Sequence, residues 1–275
     1  MTATPILFVH GFWHAAWCWT EALTHVARAG RIGSAIDLPG HGLRARRPAA
    51  ATAGPFDPQA LVNTPSPVAG IDLDEASDFL VEQMKHLGGG RPVTVVAHSM
   101  GGTVLTRAAQ QAPELVSRAV YLAAFMPASD TPALAHAQTP ELSQALRADP
   151  AAVGALRLDV GSPDPSYRQV LRDIFYGDVD PMLVDAAISL LSPDAPISIA
   201  LGSTTLTDDG WGSVPRTYIK TDRDVVIPPA VQERFIADAD AAFPGNPTHV
   251  LGLDASHSPF LSMPDQVANI VCGLV

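Results

Sequence analysis

The sequence has few cysteines, no long apolar run and no excess of positive charge. It contains 2 cysteines, Cys18 and Cys272, both among apolar residues, which argues against a disulfide framework and favours small, buried side chains. No apolar run reaches the roughly 18 residues that a membrane-spanning helix needs. The amino terminus lacks the basic and apolar segments of a signal peptide, so we expect a cytoplasmic protein without a membrane partner.

Positive charge is scarce, and the formal net charge is −11 at pH 7. Such a chain repels phosphate backbones, which argues against a nucleic-acid partner. Its one basic cluster, Arg44, Arg46 and Arg47, is short and typical of a solvated loop. Metal-binding patterns of the His-Glu-x-x-His or paired Cys-x-x-Cys kind are missing, so we expect neither a metal nor another cofactor.

Short apolar runs alternate with segments of helical period, which predicts an α/β fold with a mostly parallel sheet of about six strands. The 275 residues suffice for one large domain. Strands are predicted at Pro5–His10, Gly33–Leu38, Pro92–His98, Arg118–Phe125, Arg216–Thr221 and Thr248–Leu253. Helices are predicted at Ala15–Ala29, Leu73–Leu87, Gly102–Gln111, Pro229–Ala241 and Pro264–Leu274.

Two stretches interrupt this alternation. Residues 44–70 are rich in Ala, Pro and Arg without a clear period, and their role is left open. Residues 127–212 contain helical pieces, at Glu141–Ala148 and Pro181–Leu191, but no pattern of a parallel strand. We therefore expect residues 1–126 and 213–275 to form the core, and residues 127–212 to form an inserted, mainly helical cap. Such a cap would cover the carboxyl ends of the strands, where open α/β sheets bind ligands.

The most informative segment is Val93–Gly102, where a β-branched run ends at Ser99 between small residues. A helix-compatible stretch follows at once, which predicts a nucleophile elbow of strand, strained turn and helix. Large side chains at Ala97 or Gly101 would collide with the neighbouring strand and helix. The positive end of the following helix would point at the same place, which suits a developing oxyanion.

A serine nucleophile needs a histidine to accept its proton and a carboxylate to orient that histidine. In this architecture the order along the chain is serine, acid, histidine. Two predicted strands downstream of Ser99 end in such residues, which makes Asp224 the preferred acid, ahead of Asp222 and Asp254, and His257 the histidine. The other histidines fit this order less well. His10 and His98, within or beside buried strands, are expected to have structural backbone partners.

An oxyanion hole requires two backbone N–H groups. One should come from Met100, the residue after the nucleophile. The other should come from the loop after the first strand, where Gly11 permits an unusual backbone angle, which makes Phe12 the second expected donor. Trp13, Phe125 and Met126 are expected to line the substrate pocket, although each of them is equally compatible with the core.

Several motifs together resemble the α/β-hydrolase superfamily. They are His10-Gly11-Phe12, Asp37-Leu38-Pro39-Gly40-His41-Gly42, His98-Ser99-Met100-Gly101-Gly102, Asp224 and Ser256-His257-Ser258-Pro259. The residues from His10 to Trp19, together with Phe175-Tyr176-Gly177-Asp178, are similar to the plant methylesterase and hydroxynitrile-lyase branch and its bacterial esterase relatives. Lyases of that branch carry threonine where this chain has Gly11 and lysine where it has Ser258. The resemblance therefore implies an esterase.

The sequence thus predicts a serine hydrolase that cleaves a carboxylic ester, lactone or thioester of a small, largely apolar molecule through an acyl-enzyme. Two alternatives remain open. The same triad could serve a lyase or a tailoring step in secondary metabolism, or the fold could act as a small-molecule receptor. The natural substrate and the oligomeric state, a homodimer included, are not specified by the sequence.

Overall fold

Six parallel strands form the central sheet of the protein, as the alternation of apolar and helical segments predicts. The structure, a computed structural model, describes residues 4–49, 57–137 and 139–275. The strands in chain order are β1 (Ile6–Val9), β2 (Gly33–Ile36), β3 (Val93–Ser99), β4 (Val116–Ala124), β5 (Ala155–Arg157), β6 (Asp194–Pro196), β7 (Arg216–Thr221) and β8 (His249–Leu253). The sheet has the order β2-β1-β3-β4-β7-β8, and every neighbouring pair in it is parallel. The carboxyl ends of β3, β7 and β8 therefore lie at one edge.

Helices cover both faces of this sheet. The first seven are α1 (Thr20–Arg28), α2 (Pro58–Asn63), α3 (Leu73–Gly88), α4 (Gly101–Gln111), α5 (Pro140–Ala145), α6 (Pro150–Val153) and α7 (Pro165–Phe175). The others are α8 (Pro181–Leu190), α9 (Ile197–Leu201), α10 (Pro229–Ala242), α11 (Pro259–Ser262) and α12 (Pro264–Gly273). None of the helices in the described ranges is both long enough and apolar enough to cross a bilayer.

The alternation of side chains along the strands divides the core into two clusters. In β1, Leu7 and Val9 belong to the cluster that packs against α3 and α4, whereas Ile6 and Phe8 belong to the cluster against α1 and α12. Strands buried on both faces appear in a sequence as continuous apolar runs, which is why β1 and β3, buried along their whole length, were predictable. Of the two cysteines, Cys18 is buried as expected, whereas Cys272 is only partly buried.

Two predicted helices differ from the observed ones. The segment predicted as one helix at Ala15–Ala29 begins instead with a 3₁₀ turn, Ala16–Trp19, before α1 starts. The Ala16 N–H, which has no acceptor within its own turn, donates to the Asp37 carboxylate at 2.7 Å, and this tertiary bond anchors the start of the 3₁₀ turn. The helical piece predicted at Glu141–Ala148 ends at Ala145, because the Arg147 N–H donates to the Arg157 carbonyl at 2.9 Å.

Four helices begin with the same two residues, an aspartate followed by proline. The aspartates are Asp57, Asp149, Asp164 and Asp180, and each side chain accepts a hydrogen bond from the backbone N–H two residues later. Aspartate is a favoured N-cap, and proline at the first helical position loses no helical hydrogen bond. This local signal starts α2, α6, α7 and α8, including α7, which the helical period alone did not predict.

The two interruptions of the alternation pack against each other. The described part of residues 127–212 adds no strand to the main sheet, but β5 and β6 within it form an antiparallel pair. Arg157 of β5 is fully buried, and its guanidinium makes two bonds of 2.7 Å to Asp194 of β6. The same guanidinium donates to the carbonyls of Leu61 and Thr64 at 2.6 and 2.7 Å. The described part of residues 44–70 is thus attached to the inserted segment, while residues 50–56 lie outside the described residues.

Candidate active site

Ser99 stands at the turn between β3 and α4. Its φ of 51° lies in the left-handed region, which costs a residue other than glycine about 1–3 kcal/mol and fits the predicted strained elbow. The Phe125 N–H donates to the Ser99 carbonyl at 3.0 Å and holds the turn from the side of β4. At Gly101 an added Cβ would lie 2.5 Å from the His10 carbonyl oxygen, so this position admits no side chain.

The structure brings Ser99, His257 and Asp224 together from three strand ends. His257 Nε2 lies 3.1 Å from Ser99 Oγ, and His257 Nδ1 lies 2.8 Å from Asp224 Oδ2. An ionised carboxylate only accepts hydrogen bonds, so Nδ1 carries the proton and Nε2 is free to accept one from the Ser99 hydroxyl. The three residues are buried, with relative exposures of 7%, 2% and 3% in that order.

Asp224 is held by four donors, one of which is His257. The N–H groups of Val226 and Ile227 donate to Oδ1 at 2.8 and 3.0 Å, and the Thr221 hydroxyl donates to Oδ2 at 3.2 Å. The competing carboxylates, Asp222 and Asp254, are exposed. Of the three carboxylates that the sequence offers, Asp224 is therefore the one placed against the imidazole.

The loop after β1 lies directly over Ser99, but the reason for its glycine differs from the predicted one. Gly11 does not adopt a positive φ; in this loop Trp13 does, with φ 63°. A Cβ on Gly11 would stand 2.6 Å from Ser99 Cβ, so close approach, not an unusual backbone angle, requires glycine here. His10 Nδ1 donates to the Gly11 carbonyl at 2.7 Å, which orients the peptide plane that carries the Phe12 N–H.

The buried histidines near the site have backbone partners, as expected for His10 and His98. His10 Nε2 accepts from the Leu38 N–H at 3.0 Å, and His98 Nε2 donates to the His257 carbonyl at 2.8 Å. Burial holds the pKa of His10 and of His98 well below the usual value, with neighbouring histidines adding to the effect. Both rings are therefore neutral supports of the loops that carry Phe12 and His257.

His14 and Tyr176 form a second buried polar link that sequence reasoning missed. The Tyr176 hydroxyl donates to His14 Nε2 at 2.9 Å, and His14 Nδ1 donates to the Phe12 carbonyl at 3.0 Å. Burial lowers the pKa of His14 to about 3, so its ring is neutral at physiological pH. Tyr176 follows α7, and the link therefore attaches the inserted segment to the loop over Ser99.

The residues expected to line a pocket are all buried. Trp13, Phe125 and Met126 have relative exposures of 3%, 2% and 1%, and belong to the main hydrophobic cluster. The Trp13 ring lies 5.4 Å from that of Phe175, which in turn is 6.5 Å from the His257 ring. Phe175 thus lies next to the site, although the sequence analysis named it only as part of a family motif and not as a pocket residue. Contact with substrate stays a prediction for all of them.

The arrangement places a hydroxyl, an imidazole and a carboxylate in hydrogen-bonding sequence, and the loop after β1 lies against the serine at Gly11. These are the groups that nucleophilic acyl transfer requires. Within the described ranges, His, Cys, Asp and Glu side chains form no group of three or more that would hold a metal ion.

Comparisons with known proteins agree with this fold. The model of the alpha/beta hydrolase family matches residues 6–270. The chain is 29% identical to methylesterase 18 of Arabidopsis thaliana over 279 residues, covering 97% of this chain and 95% of that protein. It is 28% identical to a pyrethroid hydrolase of Sphingobium wenxiniae over 279 residues, covering 98% of this chain and 87% of that protein.

A solved pyrethroid hydrolase from Sphingobium faniae superposes with a TM-score of 0.76 at 21% identity, covering 99% of this chain and 97% of that one. The predicted fold class and the resemblance to the methylesterase branch are confirmed. The chain belongs to the alpha/beta hydrolase family, and the two relatives named above, a methylesterase and a pyrethroid hydrolase, are carboxylic-ester hydrolases.

Proposed function

We propose that this protein hydrolyses a carboxylic ester of a small, largely apolar molecule through an acyl-enzyme. The observation that carries the proposal is the chain of bonds from Ser99 Oγ to His257 Nε2 at 3.1 Å and from His257 Nδ1 to Asp224 at 2.8 Å. Its relatives named methylesterase and pyrethroid hydrolase support the reaction class.

In the first half of the reaction, Ser99 Oγ attacks the ester carbonyl carbon while His257 Nε2 takes the hydroxyl proton. The carbonyl oxygen becomes an oxyanion, which the N–H groups of Met100 and Phe12 would bind. Asp224 keeps the imidazole in the required tautomer and stabilises the imidazolium. When the intermediate collapses, the C–O bond of the ester breaks and His257 returns its proton to the leaving alcohol.

In the second half, water attacks the acyl group on Ser99. His257 Nε2 removes a proton from that water, and the same two N–H groups would stabilise the second oxyanion. Collapse breaks the bond between Ser99 Oγ and the acyl carbon, and the Ser99 oxygen regains its proton from His257. The carboxylic acid leaves, and the enzyme returns to its starting state.

The surroundings of the site favour an apolar substrate. Phe125 and Phe175 are buried beside Ser99 and His257, and Trp13 packs between Phe12 and Phe175. Aromatic surfaces bind acyl and aryl groups rather than charged ones. The net charge of −11 also disfavours anionic substrates at long range. Residues 127–212 would act as the cap that limits acyl length, because Phe175 and Tyr176 extend from them to the site.

A panel of p-nitrophenyl esters with acyl chains of increasing length tests the proposal. We expect turnover by the wild type and a loss of about 10⁴-fold or more in kcat for Ser99→Ala and His257→Ala. Ser143→Ala, at an exposed serine of α5, is the matched control and should keep the wild-type rate. A fluorophosphonate should label Ser99. A wild type that turns over no ester, or a Ser99→Ala variant with unchanged turnover, contradicts the proposal.

A further inference from the structure

Asp178 connects the inserted segment to the loop that carries His257. Its carboxylate, with the side chain 8% exposed, accepts from the Ser256 N–H at 3.1 Å and also from the Ser256 hydroxyl. Ser256 directly precedes His257. At Gly177 an added Cβ would lie 3.7 Å from Ser256 Cβ, so the backbone of the two segments is in close contact as well.

The loop that carries Asp224 also contacts Asp178, through Arg223, the residue before Asp224. The Arg223 guanidinium lies 3.5 Å from the Asp178 carboxylate and 2.8 Å from that of Asp254. The Arg223 N–H donates to the Ala255 carbonyl at 3.0 Å, which bonds the two loops directly to each other. The Arg223 side chain is 51% exposed, so its ion pairs contribute less than the partly buried bonds between Asp178 and Ser256.

The backbone around His257 is therefore held on both sides. On one side, Asp178 binds Ser256, the residue before His257. On the other side, His98 Nε2 donates a hydrogen bond to the His257 carbonyl at 2.8 Å. With the backbone in place and Nδ1 bonded to Asp224, the distance from Nε2 to Ser99 Oγ is determined. A displacement of about 1 Å at such a position can cost about 10²-fold in rate, even when the displaced group remains present.

We propose that Asp178 is a positioning residue, which holds Ser256 so that the His257 imidazole stays within hydrogen-bonding distance of Ser99. Asp178 touches neither the substrate nor the reacting atoms, and acts through the loop of His257. The proposal rests on the proposed function, since it assigns Asp178 a task in proton transfer by His257. It also makes the turn after α7 part of the active site, although that turn is far from the triad in sequence.

The test compares Asp178→Ala, Asp178→Asn and Ser256→Ala with a matched control, Asp173→Asn. Asp173 is an exposed aspartate of α7, and its carboxylate accepts a hydrogen bond from Gln169 of the same helix. Titration with a fluorophosphonate counts the competent serines, so that kcat is expressed per labelled Ser99 and a loss of folded protein does not alter it. kcat and KM are then measured separately with a p-nitrophenyl ester.

We expect Asp178→Ala to lower kcat by about 10- to 100-fold with KM changed by less than about 3-fold. Asp178→Asn, which keeps an acceptor for the Ser256 N–H, should retain more activity than Asp178→Ala, and Ser256→Ala should lose less than either. A kcat for Asp178→Ala equal to that of Asp173→Asn overturns the proposal. If Asp178→Ala does not fold, unchanged kcat in both Asp178→Asn and Ser256→Ala overturns it.

A different result would contradict the proposed esterase function without contradicting the positioning role of Asp178. A wild type without ester turnover contradicts the esterase, while the rate of Ser99 labelling by the fluorophosphonate still reports on Asp178. Labelling also requires His257 to remove the Ser99 proton, so a misplaced imidazole slows it. Equal labelling rates for the wild type, Asp178→Asn and Ser256→Ala overturn the positioning role, whatever the natural substrate is.

Discussion

A single methyl group added at Gly11 should abolish most of the activity while leaving the fold intact. In the structure a Cβ at this position would stand 2.6 Å from Ser99 Cβ, 3.2 Å from Ser99 Oγ and 3.1 Å from His98 Nδ1. Favourable contacts between carbon atoms lie at about 3.5–4.0 Å. The Gly11→Ala variant must therefore separate the loop after β1 from Ser99 by about 1 Å.

This displacement affects two parts of the site at once. A misplacement of about 1 Å between reacting groups can cost about 10²-fold, and the loss of one oxyanion donor costs about 10²–10³-fold. Because Phe12 follows Gly11, its N–H moves together with the loop. We expect kcat for Gly11→Ala to fall by about 10²–10³-fold. Overpacking at one buried position should lower the free energy of unfolding by only about 1–3 kcal/mol.

The assay measures ester hydrolysis and the urea unfolding midpoint of Gly11→Ala beside those of Gly252→Ala. Gly252 lies in β8, the edge strand, and a Cβ there would have no heavy atom within 4 Å. The control should match the wild type in both measurements. If Gly11→Ala retains more than half of the wild-type kcat, the close approach of the loop to Ser99 is not what requires glycine.

Three further changes test other parts of the structure. Asp224→Asn should lower kcat by about 10⁴-fold in a steady-state assay, because a neutral amide no longer selects the imidazole tautomer that accepts the serine proton. Arg157→Ala should lower the free energy of unfolding in urea by about 3–5 kcal/mol, since it leaves the buried Asp194 carboxylate without its partner. Acid should destabilise the folded state. Burial lowers the pKa of His14 from 6.5 to about 3 and the pKa of His41 from 6.5 to about 4. Below pH 6.5 the unfolded chain therefore binds protons that the folded protein does not bind. At about pH 4.5 each of these two histidines should cost about 2–3 kcal/mol of stability, seen in unfolding curves measured from pH 8 downwards.

Control variants accompany the two substitutions, and a pH series tests the acid prediction. Asp222→Asn changes the exposed carboxylate two residues before Asp224 and should keep wild-type turnover. Lys85→Ala breaks an exposed ion pair with Glu82 and should leave the unfolding midpoint unchanged, in contrast to Arg157→Ala. A free energy of unfolding that stays constant from pH 7 to pH 4.5 would contradict neutral, buried imidazoles in the folded state.

Predictability along this chain depended on whether the signal was local. The strand and elbow at Val93–Gly102 were predictable, because the β-branched run, the small flanking residues and the glycines are neighbours in sequence. The convergence of Ser99, Asp224 and His257 was predictable as well, since strands that run parallel end at a common edge. Helix α7 was missed although its Asp164-Pro165 start is a local signal, repeated before three other helices.

Other features have no local signal. The 3₁₀ turn at Ala16–Trp19 is anchored at its start by Asp37, which follows β2 and accepts the Ala16 N–H. Gly11 was expected to need an unusual backbone angle, whereas its requirement comes from Ser99, which lies in another element. Asp178 was visible only as part of a family motif, and its partner Ser256 is 78 residues away.

By itself, the amino-acid sequence determined the parallel sheet, the strained serine turn and the three side chains brought to one edge, because periodicity and turn chemistry act between near neighbours. Only the tertiary structure decided why residue 11 has no side chain and how the inserted segment reaches the histidine loop. Those outcomes depend on distances between segments that are remote along the chain, and packing sets such distances only once the sheet and its helices have come together.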